Sequence, residues 1–396
     1  MTSLYTRIMA KNRIDFLNYL GAIKSRIRHT LKKRRCKSIH IVFVWMFFMF
    51  AYFIYKIQYK TGIEILPFIP IDDSGFMIYN ESLLNYAKVS EAALQQKKRG
   101  FILCWVMTTS INHKTRVQAI RSTWLNRCDA SHIFTNSDRF LDKSTPYHTI
   151  FSELPMSYFK LFWKTRLALY YLYTNVSSEF DWYFKADDDT YVIMENLRSY
   201  LSTFNPDEPL YLGFRLKRRM PNHGYNAGGS GYVISRAAMK IFAEQLFHAK
   251  SLCPYHEWED LAVARCLESV GIYAVDTRDE QRRQRFLPWN PEYHYNGDLI
   301  KFFLMDPIEF RGPDIFHENL ISMHHLDPSV IRLIDGIIFG VASGGPDIFH
   351  ENLISMHHLD PSVIRLIDGI LYGVAAGMWN RSTVVEQTLQ RPPRGQ

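Results

Sequence analysis

The sequence predicts one α/β domain with a mixed, mainly parallel sheet over residues 99–340, behind an N-terminal membrane anchor. Strand-like apolar runs alternate with stretches of helical spacing over about 230 residues, which is typical of a parallel sheet flanked by helices. One such run, residues 180–186, leads into three aspartates, and open α/β sheets bind ligands at the carboxyl ends of their strands. An apolar stretch, residues 39–55, separates a basic tail from this domain.

The apolar stretch 39–55 contains no formally charged side chain and lies between Lys37 and Lys56. About 17 apolar residues are near the lower limit for a bilayer span and suit the thinner membranes of the early secretory pathway. Residues 1–38 contain 11 Lys/Arg and one acidic residue, so the positive-inside rule places them in the cytosol. The sequence therefore predicts a single-pass type II membrane protein in which residues 56–98 form a lumenal stem.

The basic character of the chain is concentrated in that tail. The formal net charge is +8, and because the tail contributes about +10, the remaining chain is slightly acidic at about −2. A basic tail beside a membrane meets anionic lipid, and the charge of the remaining chain gives no reason to expect nucleic-acid binding.

The cysteines agree with a lumenal domain. Cys36 lies in the cytosolic tail, where it is either palmitoylated or inert. The other four form an even set in an oxidising compartment, which predicts two disulfides with three open connectivities. These four are Cys104, Cys128, Cys253 and Cys266. No CxxC spacing occurs, which argues against a zinc site. Glycosylation sequons lie at Asn80, Asn175 and Asn380.

The first half of the domain begins with a strand and a helix. Phe101 starts the strand-like run FILCWVMT, and Val117, Ile120 and Trp124 follow at helical spacing. A long helix is predicted over about residues 158–173, directly before the aromatic strand that carries the aspartates. That strand has the continuous apolar character of a buried, central strand.

The second half repeats the alternation. YNAGGSGYVIS, residues 225–235, places glycines beside a strand, and a helix with Met239, Phe242 and Leu246 on one face follows. HEWEDLAVARCLESVG then predicts a helix with an acidic start that ends at Gly271.

The three consecutive aspartates are the most informative feature. Adjacent carboxylates repel one another, so Asp187, Asp188 and Asp189 are costly unless a cation neutralises them. Carboxylate oxygens suit Mg²⁺ or Mn²⁺, which commonly bridge carboxylates to nucleotide phosphates. Asp187 and Asp189 are therefore candidates for a metal–diphosphate site. The alternative is a solvated acidic turn or a helix start.

A long segment of the C-terminal region occurs twice. Residues 312–337 recur without change as residues 345–370, a shift of 33 positions. Two copies are too few for a solenoid, so a recent exon duplication or a gene-model error is the simpler origin. We expect one copy to belong to the domain and the other to lie in a peripheral C-terminal extension, residues 341–396.

Six motifs occur in the order seen in the core 1 β-1,3-galactosyltransferases, the family also called T-synthases, and the match covers about residues 99–340. They are LCWVMT, IRSTW, WKTR, WYFKADDDTYV, GGSGYV and WEDLAVARC, with FLPWNPEYH and SMHHLDP similar to the C-terminal part of that family. The resemblance implies a GT-A fold in a Golgi type II enzyme. It also implies an inverting, Mn²⁺-dependent transfer of galactose from UDP-galactose to GalNAc linked to Ser or Thr of glycoproteins. Members of the family form homodimers.

The resemblance also assigns metal and disulfide residues. It makes Asp187 and Asp189 contacts of the metal and the diphosphate, and His324 the third metal ligand. His357 is the same residue in the second copy, so the two histidines are alternatives, and a purely structural histidine is a third reading. The family pattern pairs Cys104 with Cys128 and Cys253 with Cys266.

Further site residues follow from the same motifs. Asp260 is similar to the catalytic base of related β-1,3-glycosyltransferases, and its neighbour Glu259 would raise the pKa of that carboxyl; the alternative is an ordinary acidic first turn. Gly228 and Gly229 would let the backbone approach the donor sugar, or form a simple strand-entry turn. The donor-binding candidates are Lys164 at the phosphates, unless it lies on a solvated helix face, and Thr108 and Arg121 near the uridine.

The chain departs from the family pattern at several positions. His325 stands where the family has a tyrosine, and Ile315 and Phe316 stand where it has two cysteines. The acceptor tryptophan of the family falls near residues 300–303. These departures leave two alternatives open, a β-1,3-glycosyltransferase with another donor or acceptor and a non-catalytic chaperone-like relative. Such a chaperone lacks the Asp-x-Asp pair, which this chain keeps.

Overall fold

A computed structural model describes residues 45–50, 52–53, 80–152, 154, 157–340, 365–367 and 369–375. The chain divides into two compact units, residues 1–61 and 62–396. The predicted anchor, residues 39–55, falls in the first unit and lies partly outside the described residues. Among the residues that are described, no helix is both long enough and apolar enough to cross a membrane.

The second unit is built on a seven-stranded mixed sheet with the order β10-β6-β9-β4-β1-β2-β3. Neighbouring strands are parallel except that β9 runs antiparallel to both β4 and β6. The strands of the described residues are β1 (Arg99–Met107), β2 (Ala130–Phe134), β3 (Tyr147–His148), β4 (Glu179–Asp187), β5 (Tyr191–Val192), β6 (Tyr211–Gly213), β7 (Arg215–Leu216), β8 (Tyr225–Asn226), β9 (Tyr232–Ser235), β10 (Ala274–Val275), β11 (Phe286–Leu287) and β12 (Ser322–Met323). The mixed α/β class with a mainly parallel sheet is confirmed.

The helices occur between these strands as the alternation predicts. In the described part of the chain the α-helices are Glu91–Leu94, Gln118–Arg121, Leu161–Tyr171, Met194–Leu201, Arg236–Ile241, Glu259–Glu268, Pro291–Asn296 and Pro328–Asp335. The helix Leu161–Tyr171 packs against Glu259–Glu268, and Arg236–Ile241 packs against β4.

The centre of the sheet is the pair β1 and β4. Trp182 and Phe184 of β4 are fully buried, because aromatic side chains on a strand covered on both faces remove a large apolar area from water. The register pairs Met107, the last residue of β1, with Asp187, the last residue of β4. Both strands therefore end at one edge, which brings the residues after β1 to the aspartates.

A smaller three-stranded sheet, in the order β11-β12-β5, lies next to that edge. β12 pairs antiparallel with β5, so that Met323 lies opposite Tyr191. Just beyond this pair, the backbone N–H of Leu326 donates to the carbonyl oxygen of Asp189 at 3.0 Å. This short pairing brings the segment after β12 to the end of β4.

The helix predicted around Val117, Ile120 and Trp124 is broken into three pieces. A π-helical turn covers His113–Val117, an α-helix covers Gln118–Arg121 and a 3₁₀ turn covers Trp124–Arg127. All three apolar side chains are buried, as helical spacing predicts. The break follows from two hydrogen bonds: the hydroxyl of Thr123 donates to the carbonyl of Ala119, and the indole N–H of Trp124 donates to the carbonyl of Thr190.

Two disulfides are present in the domain. Cys104 of β1 is bonded to Cys128, and Cys253 is bonded to Cys266 of the helix Glu259–Glu268. These are the pairs that the family resemblance implies. Each closes a short loop and is expected to contribute about 2–4 kcal/mol by restricting the unfolded chain.

The first copy of the duplicated segment lies inside the domain, where it forms β12 and the helix Pro328–Asp335. Of the second copy and its continuation, the structure describes residues 365–367 and 369–375. Ile370 and Val374 are buried in the same core, and the backbone at Gly369 packs directly on the Phe316 ring. The second copy is thus not wholly peripheral, because this part of it covers an apolar surface of the domain.

Candidate metal and donor site

The candidate site lies where β4 ends. Asp187 is the last residue of that strand, and the chain then turns, with the N–H of Thr190 donating to the carbonyl of Asp187. Asp187 is the most exposed of the three aspartates, with 38% of its side chain accessible. The turn points the three carboxylates in different directions, so each has its own environment.

Asp188 points into the protein. Its carboxylate accepts hydrogen bonds from the Thr108 hydroxyl at 2.5 Å, the Asn112 amide at 2.8 Å and Arg116 Nη1 at 3.0 Å. Burial raises the pKa of this carboxyl in spite of these bonds. Thr108, which was expected near the uridine, therefore fixes the turn that carries the aspartates.

Asp189 faces Arg116 and His324. Its Oδ1 lies 3.0 Å from His324 Nε2, and its Oδ2 lies 3.1 Å from Arg116 Nη1. Burial alone would raise the pKa of Asp189, but the hydrogen bonds and charges of the neighbouring histidines and Arg116 hold it well below its usual range. Asp189 is therefore a carboxylate at any physiological pH.

His324 is held in a fixed orientation. Its Nδ1 lies 2.9 Å from the carbonyl oxygen of Pro288, which can only accept, so Nδ1 carries the hydrogen and Nε2 points at the aspartates. The Nε2 atom lies 3.8 Å from Asp187 Oδ2 as well as 3.0 Å from Asp189. Burial lowers the pKa of His324, but the hydrogen bond to Asp189 and the charges of Asp189 and Asp187 together raise it above its usual value. The arrangement is that of a metal-binding imidazole oriented by a backbone carbonyl.

His325 joins the same group. Its Nδ1 lies 3.9 Å from Asp189 Oδ2, and its ring stacks on that of His324 with centroids 3.8 Å apart. One ligand atom from each of Asp189, His324 and His325 lies within 4.8 Å of the others. Two carboxylates and an imidazole fit a hard divalent cation such as Mn²⁺, and a second imidazole lies beside them.

The aspartates are partly compensated without a metal. Arg116 pairs with both Asp188 and Asp189, and Lys185 Nζ lies 2.7 Å from Asp187 Oδ1. Two protein cations therefore offset part of the negative charge of the three carboxylates.

Lys185 connects the aspartates to the candidate base. Its side chain is almost fully buried, donates to the Gly228 carbonyl at 3.2 Å and lies 3.8 Å from Glu259 Oε2. Burial lowers the pKa of Lys185, but the charges of Asp187 and Glu259 raise it well above its usual value. Glu259 also accepts a hydrogen bond from the Tyr232 hydroxyl at 2.9 Å.

Asp260 is the second residue of the helix Glu259–Glu268, and the Gly228 N–H donates to its Oδ2 at 3.3 Å. Burial, and then the charge of Glu259, raise the pKa of Asp260 to about 7. This is the direction expected from sequence, and a carboxylate with a pKa near 7 suits a general base.

The two glycines before β9 make room for protein side chains. A Cβ on Gly228 would lie 2.9 Å from Glu259 Oε2, and a Cβ on Gly229 would collide with the His324 ring. The close backbone approach predicted from sequence is present, but it is made to the metal-site and base residues of the protein itself. Any larger residue at position 229 would displace the candidate metal ligand.

Two donor-binding candidates lie apart from this group. Arg121 pairs with Asp142 at 2.9 Å and donates to Ser144, whereas Arg116, one turn earlier, reaches the aspartates. Lys164 is buried, with its ammonium 5.5 Å from the centre of the Phe151 ring, and burial lowers its pKa. The alternative of a solvated helix face for Lys164 is therefore wrong. His357 lies outside the described residues.

Sequence reasoning missed four residues of the site, namely Asn112, Arg116, Lys185 and His325. One signal was available for Lys185, because a residue two positions before Asp187 on a strand points to the same face. Asn112 and Arg116 lie in the loop and turn after β1, and the pairing of β1 with β4 is what brings them close.

Comparison with known proteins gives concordant results. A Fringe-like family model matches residues 97–277. The chain is 34% identical over 250 residues to glycoprotein-N-acetylgalactosamine 3-beta-galactosyltransferase 1 of Xenopus laevis, an alignment that covers 61% of this chain and 67% of that protein. It is 26% identical over 242 residues to a beta-1,3-glucosyltransferase of Mus musculus, covering 60% of this chain and 43% of that protein. Chondroitin sulfate synthase 3 of Homo sapiens is 25% identical over 117 residues, 27% of this chain and 13% of that protein.

Proposed function

The chain belongs to the glycoprotein-N-acetylgalactosamine 3-β-galactosyltransferase family, and on that premise we propose that it transfers galactose from UDP-galactose in β-1,3 linkage to O-linked GalNAc on glycoproteins. As a member of this family it is a glycosyltransferase, and its mixed α/β domain fits a GT-A fold. The observation that carries the proposal is the 34% identity over 250 residues to a galactosyltransferase with that acceptor in its name. The site at the end of β4 supports the proposal, because it brings together the carboxylates and the imidazole that a metal-dependent transfer requires.

The proposed cofactor is Mn²⁺. Asp187, Asp189 and His324 would hold it, because their oxygen and nitrogen atoms converge at the carboxyl edge of the sheet. When bound, the ion would neutralise charge that develops on the departing diphosphate. Arg116, which bridges Asp188 and Asp189, holds the turn and would add a positive charge next to the proposed metal site.

The proposed base is Asp260. An inverting transfer is a single displacement in which a base takes the proton of the acceptor hydroxyl while UDP leaves from the opposite face. Asp260 can hold that proton on its carboxyl group, because its pKa of about 7 makes it a stronger base than an ordinary carboxylate. Glu259 stays close to Lys185 and supplies the negative charge that keeps the pKa of Asp260 high.

The proposed location is the Golgi membrane, in a type II topology with residues 39–55 as the anchor. Homodimer formation is proposed from the family alone. Asn175 is exposed in the π-helical segment Leu172–Val176, and in the proposed topology it would be accessible to oligosaccharyl transfer in the lumen.

Expression of the full chain in a secretory-competent cell is therefore expected to yield glycosylated Asn175. The measurement is a mobility shift that is removed by an N-glycosidase and lost in Asn175→Gln. Because Asn80 and Asn380 are separate sequons, each is removed in turn as a control. Absence of glycan from all three sites, with the N-terminus protected from added protease, would overturn the lumenal assignment.

A second candidate function is a β-1,3-glycosyltransferase with another donor or acceptor. Two observations support this second function. The chain is similar to a β-1,3-glucosyltransferase, and it departs from the family pattern near the acceptor region, at residues 300–303 and 315–316. A chaperone-like role is disfavoured by the metal-binding residues, which are all present and convergent.

A donor screen decides between these functions. The full chain in detergent, with Mn²⁺ and a GalNAc-peptide, is expected to transfer galactose from UDP-galactose at least tenfold faster than sugar from UDP-GlcNAc or UDP-glucose. Product linkage is read by a β-1,3-specific galactosidase. Faster transfer from another donor would support the second function, and no transfer from any donor would contradict both.

A further inference from the structure

His325 is held in a strained backbone conformation next to the metal-site residues. Its φ is +60°, in the left-handed region that non-glycine residues adopt rarely and at a cost of about 1–3 kcal/mol. The strain is maintained by the strands around it, since β12 pairs with β5 before it and Leu326 bonds to Asp189 after it. Such strain persists where the surrounding structure imposes it, and it is common at functional sites.

This backbone conformation directs the imidazole of His325 towards the aspartates. Without it the side chain that follows His324 would point away from that residue, since neighbours on an extended chain alternate in direction. Instead the two rings stack at 3.8 Å, and His325 Nδ1 lies 3.9 Å from Asp189 Oδ2 while His324 Nε2 lies 3.0 Å from Asp189 Oδ1. The same carboxylate therefore has one imidazole at each oxygen.

These separations suit ligands of one ion. Neighbouring ligands whose bonds to a metal are about 2.0–2.2 Å long lie about 3–4 Å apart. The ligand atoms of Asp189, His324 and His325 lie within 4.8 Å of one another, so a small closure, together with a rotation of the His325 ring out of its stacked position, would bring all three to one ion. More than half of the His325 side chain is exposed, so the ring is free to make that movement.

We infer that His325 is an additional metal ligand, and that it shifts the preference of this site from Mn²⁺ towards nitrogen-preferring ions such as Co²⁺ and Zn²⁺. Oxygen-rich sites suit Mg²⁺ and Mn²⁺, whereas imidazole nitrogens favour later first-row ions. A second imidazole therefore strengthens the binding of Co²⁺ and Zn²⁺ more than that of Mn²⁺. The inference rests on the proposed metal site but not on the identity of the donor or acceptor.

The test measures metal binding by the full chain without donor or acceptor. Calorimetry gives the affinities for Mn²⁺ and Co²⁺, and the visible absorption of bound Co²⁺ reports its ligands. Because Co²⁺ binds most sites more tightly than Mn²⁺, the decisive quantity is the change in the Co²⁺/Mn²⁺ affinity ratio on mutation. In His325→Ala this ratio is expected to fall on the order of tenfold, with a changed Co²⁺ spectrum.

The duplicated segment supplies a matched control. His358→Ala makes the same substitution in the same local sequence, SMHHLDP, of the second copy, and it is expected to leave the ratio unchanged. His325→Gly separates ligation from strain, because glycine tolerates a positive φ. That variant is expected to raise the melting temperature of the metal-free protein while lowering the Co²⁺/Mn²⁺ ratio as alanine does.

Equal effects of His325→Ala on both ions, or no effect on either, would overturn the inference. Failure of the proposed function is distinguishable, since it would appear as absent galactose transfer with the metal ratios as expected. Conversely, if His325→Ala transfers galactose normally and has an unchanged Co²⁺/Mn²⁺ affinity ratio, His325 is not a metal ligand and the proposed function is unaffected.

Discussion

Replacement of Asp189 by alanine is expected to lower galactose transfer about a thousandfold, because it would remove a ligand of the proposed metal and with it the proposed stabilisation of charge on the departing diphosphate. Metal-dependent UDP binding, measured by calorimetry, should be lost in parallel. Asp181→Ala is the matched control, since Asp181 lies on the same strand and pairs with Arg236 away from the site. Full activity of the Asp189→Ala protein would contradict the metal-dependent mechanism.

The same substitution is also expected to destabilise the protein. From sequence, loss of one of three repelling carboxylates should leave stability unchanged or slightly higher. The structure reverses that expectation, because alanine would leave Arg116 and His324 facing each other without their shared carboxylate. The expected loss is about 1–3 kcal/mol in the free energy of unfolding, read from denaturant titration of the metal-free protein.

The two histidines of the duplicated segment provide a further comparison. His324→Ala should weaken metal affinity, whereas His357→Ala in the second copy should not, because the first copy forms β12 next to the aspartates. If neither variant changes the metal affinity, histidine is excluded from the metal site.

Replacement of Asp260 by asparagine is expected to lower transfer by about a hundredfold to ten-thousandfold, because the acceptor hydroxyl loses its general base. In the wild-type protein the rate should fall as the pH drops below about 7, where Asp260 becomes protonated, and in the Asp260→Asn variant this acid limb should disappear. The measurement is the rate at subsaturating acceptor from pH 5 to pH 9. An unchanged acid limb in Asp260→Asn would assign the base to another residue.

Asp260→Asn should also stabilise the metal-free protein at high pH. Folding raises the pKa of Asp260, so the ionised form of Asp260 destabilises the folded protein. This loss of stability is absent below the unfolded pKa of about 4 and complete above the folded pKa of about 7. Asparagine removes that cost, with an expected gain on the order of 2–4 kcal/mol at pH 8 that shrinks as the pH is lowered towards 4. Glu257→Gln, just before the helix, is the control and should show no such pH-dependent gain. Equal melting temperatures of wild type and Asp260→Asn at pH 8 would contradict a buried, unfavourable carboxylate.

The sequence predicted those features that depend on residues close together along the chain. The aromatic run before Asp187 predicts a buried central strand, because continuous apolar character is what a strand covered on both faces requires. WEDL predicts the helix that carries Asp260, because acidic residues favour a first helical turn. His324 came from a motif match and lies 3.0 Å from Asp189, as a shared metal site would require.

The parts that sequence missed depend on contacts between distant segments. Arg121 was the arginine named from sequence and Arg116 was not considered, yet the hydrogen bond from Arg116 to Asp188 places Arg116 at the site, and Arg121 pairs with Asp142. The positive φ of His325 has no sequence signature, since it follows from the pairing of β12 with β5. The second contact of Lys185, with Glu259, likewise depends on how β4 and the helix Glu259–Glu268 are assembled.

The pairing of β12 with β5 has a consequence for biosynthesis. His324 follows Asp187 by 137 residues, and at about 5–20 residues per second the ribosome needs roughly 7–27 s to make that stretch. During this interval the aspartates of the nascent chain have no histidine beside them. Arg116 and Lys185, both synthesised before Asp187, are then the cations able to offset the negative charge. The end of β4 can therefore form before the candidate metal site is complete, because the strand Ser322–Met323, which brings His324 to it, is made later.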